Sequence, residues 1–235
     1  MTACEEELPP RLQAALDYAA RGIPVLPSHF PVPVGVPPGP AGPPGSAGPG
    51  GTPLACSCGS GDCPTPARHP IWTVAADDAT TNLAELVRWW IGMPEANVAT
   101  PAGVGFGMVE LCHHAPAELI VGWLAMQGIR TGPLIAAGPT CHQFLVAPGT
   151  GGWSFRMTAP GSVLRLGLGG GLILLPPSRL VDGAVGGWLR PLGAAPPDGG
   201  LLYRALLGIP GSVELAGSVP RGAAQVLEPS ADAPT

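Results

Sequence analysis

The sequence contains no lysine, and all 11 of its basic residues are arginine. Charged residues make up only 11% of the 235 residues, and the formal net charge is -5. This balance argues against the broad cationic surface typical of many nucleic-acid-binding proteins, although a local arginine cluster still suits phosphate.

Long apolar runs are also missing. Glycines and prolines interrupt the most hydrophobic stretch, GSVLRLGLGGGLILLPPS, and a membrane span needs about 18 to 20 apolar residues in succession. The first residues, MTACEEELPPRLQAAL, include three acids and lack the apolar segment of a signal peptide. We therefore expect a cytoplasmic protein without a membrane partner.

Glycine and proline are abundant, with 36 and 32 residues, whereas a hydrophobic content of 46% is ample for a buried core. Much of the excess lies in PVPVGVPPGPAGPPGSAGPGGTP and after Pro210. Such segments lack the apolar periodicity of packed elements. The expected organisation is an N-terminal helix and first strand (1–30), a disordered insertion (31–54), a cysteine-rich segment (55–70), the remainder of the same domain (71–210) and a flexible tail (211–235).

Hydrophobic periodicity predicts helices alternating with strands. The most clearly marked helix is TTNLAELVRWW, with Thr81 or Asn82 as its cap and Glu85 as the capping-box partner. Its expected apolar face comprises Leu83, Leu86, Val87 and Trp90. Further helices are expected from Leu8 to Arg21, in PAELIVGWLAMQGI and in GGLLYRALLGI, and strands in IPVLP, NVATP, GFGMVELC, GPLIAAG, HQFLVAP and a glycine-interrupted hairpin, SVLRLGLGGGLILLPPS. These lengths predict an α+β fold with a mixed, partly antiparallel sheet flanked by helices.

The stretch ACSCGSGDCPTPARHP carries the most specific chemistry. Cys56, Cys58, Cys63 and His69 provide the four nitrogen and sulfur ligands that zinc prefers, in a loop whose glycines and prolines let the backbone wrap an ion. The spacing is tighter than the common C-x2-C knuckle, so a solvated loop and a disulfide cluster remain alternatives. A reducing cytosol disfavours the disulfide. The other thiols, Cys4, Cys112 and Cys141, are scattered along the chain.

Several segments together resemble the bifunctional DNA primase/polymerase N-terminal (prim-pol) family of the archaeo-eukaryotic primase superfamily. They are ALDYAARGIPVLP, the cysteine-rich stretch, DDATTNLAELVRWWIGMPEANVATPAG and LILLPPS. The likeness runs from about Leu12 to Leu192. It implies a prim-pol-like α+β fold in which the cysteine-rich loop is a small zinc-binding stem beside a catalytic sheet, and in which metal ions assist nucleotidyl transfer.

The resemblance also assigns candidate catalytic positions. The family's paired acids fall at Glu110 and Cys112, its histidine at His142 and its third acid near Val163. Arg165 lies beside that last position and is the candidate nucleotide-binding residue. Two of the three acidic positions therefore hold residues that do not suit magnesium.

A count of carboxylates leads to the same expectation without the family. Between Asn97 and Ser178 the sequence has only Glu110 and Glu118, and Glu118 falls on a predicted helix. Two-metal polymerisation needs carboxylates that hold both ions about 4 Å apart. The sequence therefore predicts an impaired nucleotidyltransferase site.

The sequence is compatible with three functions. The first is a replication-type prim-pol domain that binds DNA or nucleotides, with structural Zn²⁺ and a possible helicase partner. The second is an active primase/polymerase that uses Glu110 with Mg²⁺ or Mn²⁺. The third is a zinc-stabilised interaction module without a nucleic-acid role, which the negative charge and the absence of lysine favour.

Overall fold

The computed structural model describes residues 8–34, 54–71, 73–113, 115–138, 140–149, 154–159, 162–167, 171–180 and 182–209. The expected disordered insertion, apart from its two ends, and the expected tail lie outside these residues. Within the described part, none of the helices is both long and apolar enough to cross a membrane. The helices are α1 (Pro10–Ala20), α2 (Leu83–Gly92), α3 (Ala117–Met126) and α4 (Gly199–Leu207), with a short 3-10 turn at Ala76–Asp78.

The strands form three sheets. They are β1 (Leu26–Ser28), β2 (Pro31–Pro33), β3 (Leu54–Cys56), β4 (Asn97–Pro101), β5 (Gly107–His113), β6 (Leu134–Ala136), β7 (Cys141–Val146), β8 (Ser154–Ala159), β9 (Ser162–Gly167), β10 (Leu172–Leu175) and β11 (Gly187–Arg190). The sheet orders are β1-β4-β10, β11-β6-β7-β5-β9-β8 and β2-β3. The α+β class is confirmed, but every ladder between the described strands is antiparallel. The single mixed sheet expected from the sequence is therefore not what these strands form.

The six-stranded sheet separates two apolar clusters. On one face, Val109 and Leu111 of β5 pack with Ile120 of α3 and Leu202 of α4. On the other face, Leu145 of β7 joins a cluster that includes α1, α2 and the three-stranded sheet. Because alternate residues of a strand point to opposite faces, Glu110 lies on the face away from α3 and α4.

Helix α2 begins at one of its two predicted caps, but the predicted capping box is wrong, because the Asn82 amide donates to the Thr80 hydroxyl and not to Glu85. The side chain of Asn82 accepts hydrogen bonds from the amides of Ala84 and Glu85, which places it as the N-cap. The predicted apolar face is only partly correct, because Leu83 is 54% exposed. The buried residues of α2 are Leu86, Trp89 and Trp90. The buried face therefore includes Trp89, which was not predicted, and excludes Leu83, which was.

The predicted glycine-interrupted hairpin is wrong. Its first half is β9, which pairs with β5 and β8, and its second half is β10, which pairs with β4 in another sheet. The two halves therefore belong to different sheets and do not pair with each other. The partner of β9 along the chain is β8, Ser154–Ala159, which the sequence interpretation omitted.

The ends of the proline-rich insertion form a two-stranded ladder. Pro31 pairs with Cys56 and Pro33 with Leu54, so β2 leads into the insertion and β3 leads out of it. The strand β3 ends at Cys56, the first cysteine of the metal-ligand motif. This ladder therefore forms the base from which the cysteine-rich loop begins.

Candidate functional site

The cysteine-rich loop brings four potential metal ligands together. Cys56, Cys58, Cys63 and His69 each offer one ligand atom, and these atoms all lie within 4.8 Å of one another. The Nε2 atom of His69 is 3.4 Å from the Sγ atoms of both Cys56 and Cys63. Tetrahedral zinc, with bonds of about 2.3 Å to sulfur and about 2.0 Å to nitrogen, separates such a pair of atoms by about 3.5 Å. The residues present therefore fit a metal ion of this kind.

The backbone of the loop supports this convergence. Ala67 has a φ of 63°, which is uncommon for a residue with a side chain. It is fully buried, and its amide N–H donates to the Sγ of Cys56 at 3.3 Å. The unusual turn at Ala67 thus directs a main-chain donor at a candidate ligand sulfur.

The end of β1 anchors the other side of the loop. The Ser28 hydroxyl donates toward two carbonyl oxygens, at 2.7 Å to Ala67 and 3.0 Å to His69. The His29 ring lies against the His69 ring, with centroids 4.3 Å apart, and its Nδ1 is 2.8 Å from the Ser57 hydroxyl. Residues 67–69 are therefore held by the three-stranded sheet as well as by the loop itself.

Burial shifts the pKa of Cys56, in the loop, and of His29, beside it. It raises the pKa of the Cys56 thiol to about 11, although the Ala67 amide acts in the opposite direction. Burial, together with the neighbouring His69, lowers the pKa of His29 to about 4, so the His29 ring is neutral at pH 7. A bound metal requires thiolates and displaces the thiol protons. When bound, zinc would supply cross-links between parts of the loop, and its ligands would be Cys56, Cys58, Cys63 and His69.

Glu110, the candidate catalytic carboxylate, is already engaged by protein groups. It is 1% exposed, in the middle of β5. Its Oε2 atom lies 2.7 Å from the Nη1 of Arg68 and accepts a hydrogen bond of 2.7 Å from the Nε2 of Gln143. The carboxylate is thus held between the metal-ligand loop and the neighbouring strand β7.

Cys112 is joined to Cys141 by a disulfide between β5 and β7. The two residues are directly opposite each other in the antiparallel register. The interpretation of these cysteines as scattered thiols is therefore wrong. Separation by 29 residues in the sequence conceals a pairing that only the strand register creates.

His142 lies on the opposite face of the sheet from Glu110. It pairs with Leu111 in the register of β5 and β7, whereas Glu110 pairs with Gln143. Its neighbours on the same face of β7 are Phe144 and Val146, which pack with α3 and α4. Burial lowers the pKa of His142, against a smaller opposing effect of the Glu118 charge. The structure does not bring His142 and Glu110 into one site.

The last two candidate positions lie on β9. The register pairs Glu110 with Arg165 and Cys112 with Val163. Arg165 in turn pairs with Arg156 on β8, so the backbone places Arg156, Arg165 and Glu110 in one row across three strands. The third acidic position is therefore adjacent to β5, but the residue there is valine.

Two residues at this site escaped the sequence interpretation. Arg68 stands next to His69 in PARHP, and Gln143 follows His142 in CHQFLV. Their side chains reach Glu110 only because the loop folds over β5 and because β7 is in this register. The cue in the sequence was a lone carboxylate on a hydrophobic strand, which needs polar partners if it is buried.

Comparison with known proteins identifies a family for most of the chain. No curated protein matches the sequence. The model of the family "Bifunctional DNA primase/polymerase, N-terminal" matches residues 15–198, from α1 to the start of α4. The chain therefore belongs to the Prim-Pol family of bifunctional DNA primase/polymerase N-terminal domains.

Proposed function

We propose that this chain is a Prim-Pol domain that binds nucleic acid or nucleotide and no longer performs two-metal nucleotidyl transfer. The observation that carries this proposal is the state of Glu110. Its carboxylate is 1% exposed and is bound by Arg68 and Gln143 at 2.7 Å each. A guanidinium beside the carboxylate neutralises the charge that would attract a divalent cation.

The positions that the family resemblance assigns to the remaining ligands do not hold acids. Two residues along β5, Cys112 is bonded to Cys141, and a disulfide sulfur is a poor ligand for magnesium. The other carboxylate of this region, Glu118, is on α3, which packs against the opposite face of the sheet. A site for two hard cations needs several oxygen ligands on one face. Of the three acidic positions that the family resemblance assigns, only Glu110 thus holds an acid, and the other two hold Cys112 and Val163.

Binding without catalysis is supported by family membership and by the arginine row. Arg165 and Arg156 are register partners next to Glu110, on the sheet that would carry the catalytic acids. Arginine binds phosphate with two parallel hydrogen bonds. We assign Arg165 as the nucleotide-binding residue, and we assign the ion of the cysteine-rich loop as structural zinc. We also propose a role in DNA replication with a helicase as partner, for which membership of the family is the only support.

A binding titration tests this function. Fluorescence anisotropy with labelled single-stranded and duplex DNA, and with a labelled nucleotide, is measured between about 50 and 200 mM salt, where phosphate contacts weaken steeply. We expect binding that weakens with salt and that is reduced in Arg165→Gln. The matched control is Arg88→Gln, because Arg88 is an exposed arginine on α2. Absence of binding to all three ligands at low salt would refute the proposal.

A second function, an interaction module without nucleic-acid binding, is favoured by one observation. The chain has a net charge of -5 and no lysine, so long-range attraction for DNA is weak. Affinity for a protein partner, together with no affinity for DNA or nucleotide, would select this function over the first.

A further inference from the structure

Glu110 is a buried carboxylate in a domain for which we propose no metal-dependent transfer. A buried charge is costly unless it is paired and hydrogen-bonded. Glu110 pairs with Gln143 in the strand register and forms an ion pair with Arg68, and these contacts indicate a structural role.

We infer that Glu110 anchors the metal-ligand loop to the central strand, so that metal binding in the loop and ordering of β5 are coupled through Arg68. In this account Glu110 is a positioning residue for the metal centre. The inference goes beyond nucleic-acid binding and does not depend on it.

Three consecutive residues carry the coupling. The amide of Ala67 donates to the Sγ of Cys56, the guanidinium of Arg68 binds Glu110, and the ring of His69 offers Nε2 to the same cluster. A displacement of any one of them moves the other two, because they share a backbone that Ser28 holds at Ala67 and His69. The loop therefore cannot place His69 among the cysteines without also placing Arg68 near β5.

The energetic argument works in both directions. An ion that fixes residues 67–69 fixes the partner that the buried Glu110 needs. Conversely, the ion pair between Glu110 and Arg68 orders the loop in the metal-free protein. This order lowers the entropic cost of metal binding. Replacement of a residue that orients metal ligands without being one commonly weakens metal affinity by about 10- to 100-fold. Linkage requires that the two effects be equal in free energy.

Zinc affinity of the full chain tests the coupling. It is measured by competition with a chromophoric chelator for wild type, Glu110→Gln, Arg68→Met and Arg68→Lys. We expect the zinc dissociation constant to rise about tenfold in Glu110→Gln and in Arg68→Met. The rise should be smaller in Arg68→Lys, which keeps the positive charge. The double variant Glu110→Gln, Arg68→Met should lose no more affinity than Arg68→Met alone.

The matched control is Leu111→Ala. Leu111 is the next residue of β5, is 2% exposed, and faces the other side of the sheet. This variant should lower the melting temperature while leaving the zinc dissociation constant within about twofold of wild type, since it removes packing and no loop contact. Equal affinities in wild type, Glu110→Gln and Arg68→Met would overturn the inference, and so would an equal loss in Leu111→Ala.

Hydrogen exchange gives a test that needs no variant. Zinc added to the metal-free wild-type protein should increase the protection of amides 108–112 of β5 as well as those of the loop. Protection confined to the loop would overturn the coupling. Failure of the chain to bind zinc at all would also overturn it, whereas failure to bind DNA would contradict only the proposed function.

Discussion

Arg68 and Glu110 connect the metal-ligand loop to the centre of the six-stranded sheet, with 2.7 Å between Nη1 and Oε2. The Glu110 side chain is 1% exposed and that of Arg68 is 24% exposed. The carboxylate that occupies a catalytic position by resemblance to the family is thus used in a contact within the protein.

Replacement of Arg68 by alanine should lower the free energy of unfolding by about 3 kcal/mol, because it leaves a buried carboxylate without its cation. Urea unfolding measures the change. Arg88→Ala is the control, since its ion pair with Glu85 is exposed and such pairs contribute at most about 1 kcal/mol. Similar losses in the two variants would argue that the Arg68–Glu110 contact is not formed in solution.

The purified chain should carry about one zinc ion per molecule, as expected for a Cys3His site. Elemental analysis should find little zinc in Cys58→Ser, Cys63→Ser, since two of the four ligands are gone. The control is Cys112→Ser, Cys141→Ser, which removes the same number of sulfurs from the disulfide. Undiminished zinc in the first variant would end the assignment of this cluster as a metal site.

The Cys112–Cys141 disulfide should be detectable by alkylation and mass analysis of the protein purified without reductant. Cross-links that close loops of this size commonly stabilise proteins by about 2 to 4 kcal/mol. Addition of reductant should therefore lower the melting temperature of wild type but not that of Cys112→Ser, Cys141→Ser. Two alkylated thiols at these positions in the untreated protein would show that the bond does not form.

His142 predicts a specific pH dependence. Burial lowers the pKa of His142 in the folded state, whereas the unfolded chain has the ordinary value of about 6.5. The unfolded state therefore binds more protons just below that pH. The contribution of neutral His142 to the free energy of unfolding is fully present above about pH 6.5 and is lost as the pH decreases. The variant His142→Leu should show a shallower loss between about pH 6.5 and 5. Parallel stability curves for wild type and variant would show that His142 is not buried in its neutral form.

Local signals in the sequence predicted a substantial part of this fold. Asn82 caps α2, the strand that contains Glu110 is present, and the Prim-Pol family is confirmed. These features depend on neighbouring residues or on motifs of contiguous sequence. The clustering of the four candidate metal ligands belongs to the same group, because all of them fall within 14 residues.

Register and sheet membership were not predictable in this way. A shift of one residue between β5 and β7 would exchange the faces of His142 and Gln143, and no local pattern specifies it. The same register pairs Cys112 with Cys141. The assignment of β9 and β10 to different sheets likewise depends on their long-range partners β5 and β4. The contact between Arg68 and Glu110 requires both the register and the fold of the loop.

Primer extension tests the central claim most directly. A labelled primer on a DNA template is incubated with nucleotides, magnesium or manganese, and wild type, Glu110→Ala, or Cys112→Asp combined with Val163→Asp. We expect no extension by wild type or Glu110→Ala, since loss of one stabilising group of a transition state commonly costs about 100-fold or more and two of the three acidic positions hold Cys112 and Val163. Robust extension by wild type that is abolished in Glu110→Ala would contradict the account and establish an active polymerase.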